Sequence, residues 1–250
     1  MRISQELRAL LGRVRSLCVL TGAGISAESG VATFRGADGL WAKLKPEELA
    51  NFDAFMRNPE LVWEWYQYRR KIVQEVRPNA GHLALVAMQG LVPEFTLVTQ
   101  NVDNLHQRAG STGVRELHGN IERSYCISCG RFDNDVQPGE AKQAPRCRMC
   151  GGLMRPDVVW FGEMLPEEEF TAAEEAARRC ELFLSVGTSA VVYPAAGLPL
   201  AAASAGAYVV EVNTERTDIS SRLDETLLGP AGTILPELVA IMEQTRKGSA

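Results

Sequence analysis

Four short apolar runs, each followed by glycine or by polar residues, constrain the fold of this chain more than any other feature. They are residues 17–20, 95–98, 182–186 and 208–212. Continuous apolar runs of this length are typical of strands that are covered on both faces, as in parallel sheets. Helical patterns alternate with them or precede them, over 3–13, 80–90, 166–179 and 195–205. This alternation predicts an α/β fold with a doubly wound parallel sheet.

Two stretches break the alternation. Residues 42–77 are helical in pattern, with Asn58 and Pro59 as the cap and first residue of a helix. Residues 122–157 contain four of the six cysteines. We expect these two insertions to form a smaller helical and metal-binding module. The rest, 1–41, 78–121 and 158–250, is expected to form a Rossmann-like part within a single domain of 1–250.

Charge and hydropathy exclude several classes of protein. The net charge is -5, so the chain lacks the surplus of basic residues that is typical of a duplex-binding protein. No uncharged apolar stretch reaches the roughly 18 residues of a membrane span. The first residues have no apolar segment with a small-residue cleavage site, as a secretory signal would. We therefore expect a cytoplasmic protein with neither a nucleic acid nor a membrane as partner, for which a monomer is sufficient.

The segment GAGISA, residues 22–27, follows the first predicted strand and fits the pattern G-x-G-x-x-(G/A). Glycines in such a turn let the backbone approach a pyrophosphate, and a helix N-terminus supplies N–H donors. A purely structural turn remains an alternative for this motif alone. The acidic residue that a dehydrogenase needs about 20 residues later, after a second strand, is missing, because 41–50 has the pattern of loop and helix.

The cysteines Cys126, Cys129, Cys147 and Cys150 form a C-x2-C-x17-C-x2-C pattern. This spacing is typical of a structural zinc site, in which two short knuckles supply four thiolates. Four thiolates leave no open position on the metal. We therefore predict one zinc ion that stabilises the insertion and takes no part in chemistry.

Polar residues follow three of these apolar runs, at 99–106, 187–189 and 213–215, and a further short run, 114–117, ends in a fourth polar cluster at 117–120. Ligands bind in open α/β sheets at the carboxyl ends of strands, so these clusters and the glycine turn predict one shared crevice. Among the three histidines, His82 is expected to have a structural role and His106 is ambiguous. His118 is the best candidate for a general base, because its ordinary pKa of about 6.5 suits proton removal at neutral pH.

Taken together, these residues resemble the sirtuin family. The matching segments are GAGISAESGVATFRGADGLW at 22–41, TQNVDNLHQRAG at 99–110, LHGN at 117–120, the four cysteines, VVWFGE at 158–163, GTS at 187–189 and VEVNTE at 210–215. They occur in the family's order and cover nearly the whole chain. The resemblance implies an NAD-dependent protein lysine deacylase. Its co-substrate is NAD, its partners are acylated-lysine proteins or peptides, and its products are nicotinamide, free lysine and O-acyl-ADP-ribose.

The resemblance also implies functions for particular residues. It makes His118 the general base, with Asn101 and Asp103 at catalytic positions beside the ribose and nicotinamide. The implied NAD-binding residues are Gly22, Ala23, Gly24, Ala27, Thr33, Phe34, Arg35, Trp41, Gln100, Asn101, Val102, Asp103, Gly187, Thr188, Ser189, Asn213, Thr214, Glu215 and Ala231. The implied strand-like edge for the substrate peptide is Val159, Trp160, Phe161, Gly162 and Glu163. Thr33 departs from the family's pattern, because many members have an aspartate there.

The helix predicted from Pro59 suggests which acyl group is removed. Its apolar stripe is Val62, Trp65, Tyr66, Ile72, Val73 and Val76. Arg69 lies on this stripe, where a guanidinium needs an anion or an escape to water. The alternative is a structural role, in which Arg69 extends to water or forms an ion pair with Glu60 or Glu64.

Tyr66 and Arg69 resemble the pair by which class III sirtuins, the desuccinylases and demalonylases, recognise an acidic acyl chain. We therefore expect a preference for succinyl- and malonyl-lysine with some deacetylation. A chain that is mainly a deacetylase is the alternative. Further alternatives are a mono-ADP-ribosyltransferase, a nicotinamide oxidoreductase and a zinc-ribbon nucleic-acid adaptor. The adaptor accounts only for the cysteines, since residues 121–157 contain six Lys/Arg against five Asp/Glu.

Overall fold

The structure is a computed structural model that describes residues 3–33, 49–133 and 143–247. Its strands are β1 Ser16–Thr21, β2 Glu94–Thr99, β3 Arg115–Glu116, β4 Gly119–Cys126, β5 Met154–Val158, β6 Leu182–Val186, β7 Tyr208–Asn213 and β8 Glu225–Leu228. Its α-helices are α1 Gln5–Arg13, α2 Gly24–Ala27, α3 Phe52–Arg57, α4 Pro59–Glu75, α5 Ala80–Leu91, α6 Leu105–Ala109, α7 Glu167–Arg179, α8 Leu198–Ser204 and α9 Ala231–Lys247.

Six strands form one sheet in the order β3-β2-β1-β6-β7-β8, and every neighbouring pair is parallel. Helices α1, α5 and α9 cover one face, and α7 and α8 cover the other, each over a buried apolar core. Strands β2 and β3 are added on the outer side of β1, and strands β7 and β8 are added on the outer side of β6. The order in which strands are added to the sheet therefore changes direction between β1 and β6. The prediction of a doubly wound parallel sheet is confirmed.

The four predicted apolar runs are β1, β2, β6 and β7, and the predicted helices at 3–13, 80–90 and 166–179 are α1, α5 and α7. The segment predicted as one helix over 195–205 is a 3-10 turn, Ala195–Gly197, followed by α8. Strand β8 and helix α9 were not predicted. Strand β8 has only four residues, and Pro236 in α9 weakens its helical pattern.

A second sheet pairs β4 with β5 in antiparallel register. Its strands were not predicted from sequence, because β4 (GNIERSYC) mixes polar and charged residues. Helix α4 packs on this sheet: the indole nitrogen of Trp63 donates to the carbonyl of Met154 at 2.7 Å. Arg70, on the same helix, is buried and donates to the carbonyls of Ile121 and Arg123 and to the Ser124 hydroxyl.

The buried face of α4 differs from the predicted stripe. Trp63 is fully buried, whereas Trp65, Ile72 and Val76 are only partly buried. Helix α4 begins as predicted, since the side-chain oxygen of Asn58 accepts from the Leu61 amide at 3.1 Å. The predicted boundaries of the smaller module fall inside β4 and at the end of β5, and the division into two parts stays a prediction. Among the residues that the structure describes, no helix combines the length and apolar character that crossing a membrane requires.

Candidate active site

A cavity of about 590 Å³ opens at the carboxyl ends of β1, β2, β6 and β7, where the sheet changes direction. This is where open α/β sheets bind ligands. Each of the four predicted polar clusters and the glycine turn contributes residues to its wall. They include Gly22, Ala23, Gly24, Gln100, Asn101, Val102, His118, Gly187, Thr188, Ser189, Asn213, Thr214 and Glu215. The sequence-based prediction of a shared crevice agrees with this arrangement.

The floor of the cavity is made of two interlocked glycine turns. The Gly22 amide donates to the carbonyl of Val186 at 2.9 Å, and the Gly24 amide donates to that of Gly187 at 2.8 Å. A Cβ atom on Gly24 would lie 2.7 Å from the Gly187 Cα atom, and Gly187 itself has a φ of +59°. Glycine is required here because the two backbones touch. Both turns line the cavity, where their backbone can approach a phosphate.

Asn101 stands between the glycine turn and a buried carboxylate. Its side-chain nitrogen donates to the Gly22 carbonyl at 3.0 Å and to the Ser26 hydroxyl at 3.2 Å. Ser26 in turn donates to Asp103 at 2.7 Å, and the Leu105 amide donates to the same carboxylate at 3.0 Å. Burial raises the pKa of Asp103, although these hydrogen bonds lower it. Asp103 therefore orients Asn101 indirectly, through the Ser26 hydroxyl.

His118 lies on the cavity wall between β3 and β4. Its Nδ1 atom is 2.9 Å from the main-chain carbonyl oxygen of Gln100. A carbonyl oxygen only accepts, so Nδ1 is the protonated nitrogen of the neutral ring and Nε2 carries the lone pair. Burial lowers the pKa of His118, while the bond to Gln100 raises it. The ring is therefore neutral at pH 7 and able to accept a proton at Nε2.

The other two histidines form a buried structural pair, with ring centroids 4.9 Å apart. The Asn79 amide donates to Nδ1 of His82 in the cap of α5, which confirms its predicted structural role. His106 bonds the Thr21 hydroxyl at 2.8 Å through Nε2. Burial lowers the pKa of His82 to about 4 and that of His106 to about 3. Neither histidine lines the cavity.

A buried carboxylate supports the far end of the cavity. Glu211 in β7 is 1% exposed, and the hydroxyls of Thr217 and Ser220 both donate to it. The loop that contains Thr217 also brings Arg216 and Asp218 to the cavity wall. These three residues were missed from sequence, although they directly follow the predicted cluster at 213–215. Val191, Val192 and Tyr193, which follow the cluster at 187–189, were missed in the same way.

The predicted peptide edge is not a strand. Strand β5 ends at Val158, and residues 159–163 lead into a turn. The amides of Val159 and Phe161 already donate to the carbonyls of His118 and Ala50, at 3.0 and 2.9 Å. A peptide that pairs with this segment would therefore have to use its remaining backbone groups. Phe161 and Gly162 are exposed and line the cavity with Val159 and Glu163.

Tyr66 and Arg69 line the same cavity as His118. Tyr66 is 1% exposed and Arg69 is 8% exposed, so the guanidinium does not extend to water as a snorkelling side chain would. Its carbon Cζ lies 4.9 Å from the ring centroid of Trp65 and 5.8 Å from that of Tyr66. Glu60 and Glu64, the ion-pair partners considered from sequence, are exposed. Arg69 therefore places a positive charge in the cavity wall.

The four sulfur atoms of Cys126, Cys129, Cys147 and Cys150 lie within 4.8 Å of one another. The Cys126–Cys150 and Cys129–Cys147 sulfur distances are 3.5 and 3.8 Å. A tetrahedron with zinc–sulfur bonds of about 2.3 Å has edges of about 3.8 Å, so the donor set fits zinc. Each knuckle closes with a positive-φ glycine, Gly130 or Gly151, after its second cysteine. The cluster lies outside the cavity, as expected for a structural metal.

Several predicted residues are placed elsewhere. Ala27 is exposed at the end of α2, Asp103 is buried below Asn101, and Ala231 is buried at the start of α9, so none of them lines the cavity. Thr33 does line it. Phe34, Arg35 and Trp41 lie outside the described residues.

The fold and the site are those of a doubly wound α/β protein with a ligand crevice at the point where its sheet changes direction. A model of the Sir2 family matches residues 22–194. An NAD-dependent protein deacylase of Aquifex aeolicus is 52% identical over 223 residues, covering 89% of this chain and 93% of the relative. The chain therefore belongs to the Sir2 family, the sirtuins.

Solved structures agree with this assignment. A Sir2 homologue in complex with NAD has a TM-score of 0.91 and 42% identity, covering 100% of this chain and 96% of its own. A complex of Sir2 with a p53 peptide and NAD+ has a TM-score of 0.84 and 32% identity, covering 98% and 99%.

Proposed function

We propose that this chain removes acyl groups from lysine side chains of proteins in an NAD-dependent reaction, and that it prefers succinyl- and malonyl-lysine over acetyl-lysine. Membership of the Sir2 family and relatives named NAD-dependent protein deacylases support the first part. One observation carries the second part: Tyr66 and Arg69 line the same cavity as His118 and the glycine turn. A single substrate side chain that enters this cavity can meet both ends.

The cavity residues provide for NAD along its whole length. The turn at Gly22 and Gly24 suits the pyrophosphate, and Asn213 to Glu215 suit the adenosine end. Gln100 and Asn101 suit the nicotinamide and its ribose. When bound, NAD supplies the ADP-ribose unit that takes up the acyl group. His118 accepts a hydroxyl proton at Nε2, while its Nδ1–H bond to Gln100 holds the ring. Asn101 is oriented by Ser26 and Asp103.

Arg69 gives the cavity its proposed acyl preference. A guanidinium can hold a carboxylate through paired charge-assisted hydrogen bonds, and a phenol can add a third. An acetyl group offers no carboxylate and would gain nothing from Arg69. The four-cysteine zinc site stabilises the β4–β5 sheet. We further propose that the protein acts in the cytoplasm, where paired cysteines bind metals more often than they form disulfides.

The test uses one peptide that carries acetyl-, malonyl- or succinyl-lysine. The peptide is incubated with the enzyme, with and without NAD, and loss of the acyl group is followed by mass spectrometry. We expect NAD-dependent loss of succinyl and malonyl to be faster than loss of acetyl. Arg69→Met is expected to reduce kcat/KM for desuccinylation more than tenfold, about 1.4 kcal/mol, and deacetylation far less. Arg57→Met, which changes an exposed arginine at the end of α3, is the matched control.

Other outcomes favour the alternatives. Equal losses on both substrates in Arg69→Met would remove the acidic-acyl preference, and NAD-dependent loss of acetyl alone would leave a deacetylase. ADP-ribose attached to protein would instead indicate a mono-ADP-ribosyltransferase.

A further inference from the structure

The hydroxyl of Tyr66 has one hydrogen bond in which it is the acceptor. The indole Nε1 of Trp160 lies 2.8 Å from the Tyr66 oxygen. An indole nitrogen only donates, whereas a phenol has one hydrogen to donate and can also accept. Trp160 is therefore the donor, and the hydrogen of Tyr66 must point to another acceptor.

In the described part of the chain, no carbonyl or carboxylate takes that hydrogen. Tyr66 lines the cavity and is 1% exposed, so the residue is almost completely shielded from bulk water. Burial raises the pKa of Tyr66, although Arg69 and the Trp160 hydrogen bond lower it. The phenol therefore keeps its proton and is available as a donor on the cavity side.

Trp160 is held firmly in the orientation that this bond requires. The guanidinium carbon of Arg155 lies 3.5 Å from the Trp160 ring centroid, and the Phe55 ring lies at 5.3 Å. The Trp160 amide donates to the Glu163 carboxylate at 2.8 Å. Arg155 comes from β5, is 2% exposed, and pairs with the same carboxylate and with the carbonyl of Val158.

We propose that Trp160 is a positioning residue that sets acyl specificity, because its indole N–H orients the Tyr66 hydroxyl to donate toward the carboxylate of an acidic acyl chain. Arg69 provides the charge and Trp160 provides the direction of the third hydrogen bond. This inference rests on the proposed preference for acidic acyl groups. It predicts that loss of the indole N–H weakens recognition of the carboxylate even though Trp160 itself does not bind it.

The test compares Trp160→Phe with Trp63→Phe. Both substitutions keep an aromatic ring and remove one indole hydrogen bond. The Trp63 bond goes to the carbonyl of Met154 and not to Tyr66, and Trp63 does not line the cavity. Each variant is measured with succinyl- and acetyl-lysine forms of one peptide, and thermal unfolding verifies that it is folded. Peptide affinity is measured separately by calorimetry.

We expect Trp160→Phe to raise KM and Kd for the succinyl peptide about fivefold or more, with a smaller change for the acetyl peptide. Trp63→Phe should lower the unfolding temperature and leave the succinyl-to-acetyl ratio within about twofold of wild type. In a Tyr66→Phe background, Trp160→Phe should change the ratio less than about twofold, because the hydroxyl that it orients is gone.

Two results separate this inference from the proposed function. If Arg69→Met lowers the succinyl-to-acetyl ratio and Trp160→Phe leaves it unchanged, Trp160 has only a packing role and the inference is overturned. If Arg69→Met also leaves the ratio unchanged, the acidic-acyl preference fails and the inference fails with it. A ratio that falls in Trp160→Phe but falls again by the same factor when Tyr66→Phe is present would exclude action through Tyr66.

Discussion

The Nδ1 atom of His118 and the main-chain oxygen of Gln100 are 2.9 Å apart. The two residues are brought together because β2 and β3 are neighbours in the sheet and end at the same edge. A backbone carbonyl oxygen can only accept a hydrogen bond. It therefore selects the histidine tautomer that has the proton on Nδ1 and the lone pair on Nε2. The same contact that orients the ring therefore also leaves Nε2 able to accept a proton.

This arrangement predicts the pH dependence of the reaction. His118 accepts a proton only when neutral, and burial lowers its pKa. Activity should therefore be retained as pH falls through about 6.5, the ordinary histidine value, and be lost only at lower pH. Measuring kcat/KM for the peptide between pH 5 and 8 checks this. An acidic limb centred above 6.5 would contradict it.

Replacing His118, the proposed general base, has its own expected result. His118→Ala should reduce acyl transfer about 10²- to 10⁴-fold, the usual contribution of a general base. Affinity for ADP-ribose, measured by calorimetry, should change far less, because the glycine turn is unaffected. Comparable losses of affinity and rate would indicate that His118 serves mainly to bind.

The interlocked glycine turns predict that Gly24→Ala damages NAD binding. The new Cβ would lie 2.7 Å from the Gly187 Cα atom and 2.8 Å from the Gly187 oxygen, so the two turns must separate. We expect KM for NAD to rise about tenfold or more, with a loss of about 1–3 kcal/mol in unfolding free energy.

Gly90→Ala is the matched control for Gly24→Ala. No atom lies within 4 Å of a Cβ at Gly90, which is inside α5. Alanine should therefore stabilise the protein by about 0.5–1 kcal/mol and leave KM for NAD as in wild type. An unchanged KM in Gly24→Ala would show that the turn can relax without effect on the cofactor.

The buried carboxylate of Glu211 predicts an effect on the proposed adenosine end of the site. Glu211→Gln leaves the Thr217 and Ser220 hydroxyls with one acceptor oxygen in place of two. We expect a loss of about 1–3 kcal/mol in unfolding free energy and a several-fold higher KM for NAD, with little change in KM for the peptide. Thr226→Val, whose bond to Glu211 is 3.4 Å long, should have a much smaller effect. An equal fold-increase in KM for NAD and in KM for the peptide would refute this.

Zinc removal should affect both stability and activity. Strand β5 is paired with β4, which ends at Cys126, and it carries Arg155, which holds Glu163 and Trp160 at the cavity. We expect elemental analysis to find one zinc per chain. A chelator should lower the Tm and the rate of deacylation. Added Zn²⁺ should restore both, whereas added Mg²⁺ should not.

Two cysteine variants test whether this effect comes from the four-cysteine site. Cys126→Ser should lose the metal, whereas Cys180→Ala, outside the cluster, should keep it. Full activity in a preparation without zinc would contradict the coupling between the two sites.

Local patterns in the sequence were sufficient for the features that depend on neighbours along the chain. The apolar runs of β1, β2, β6 and β7, the cap at Asn58 and the C-x2-C knuckles are all signals of this kind. Strands β4 and β5 were missed, since their burial comes from α4 packing across them and not from their own composition.

The sequence by itself determined the class of fold, the four clustered cysteines and the family, since each of these depends on residue type and spacing. Only the tertiary structure decided which polar residues face the cavity and which lie behind it. Asp103 and Asn101 are two positions apart, yet the first supports the second from a buried site. The hydrogen bond between Trp160 and Tyr66 joins residues 94 positions apart. Such long-range contacts arise from how the two sheets and α4 pack together, and no local periodicity encodes them.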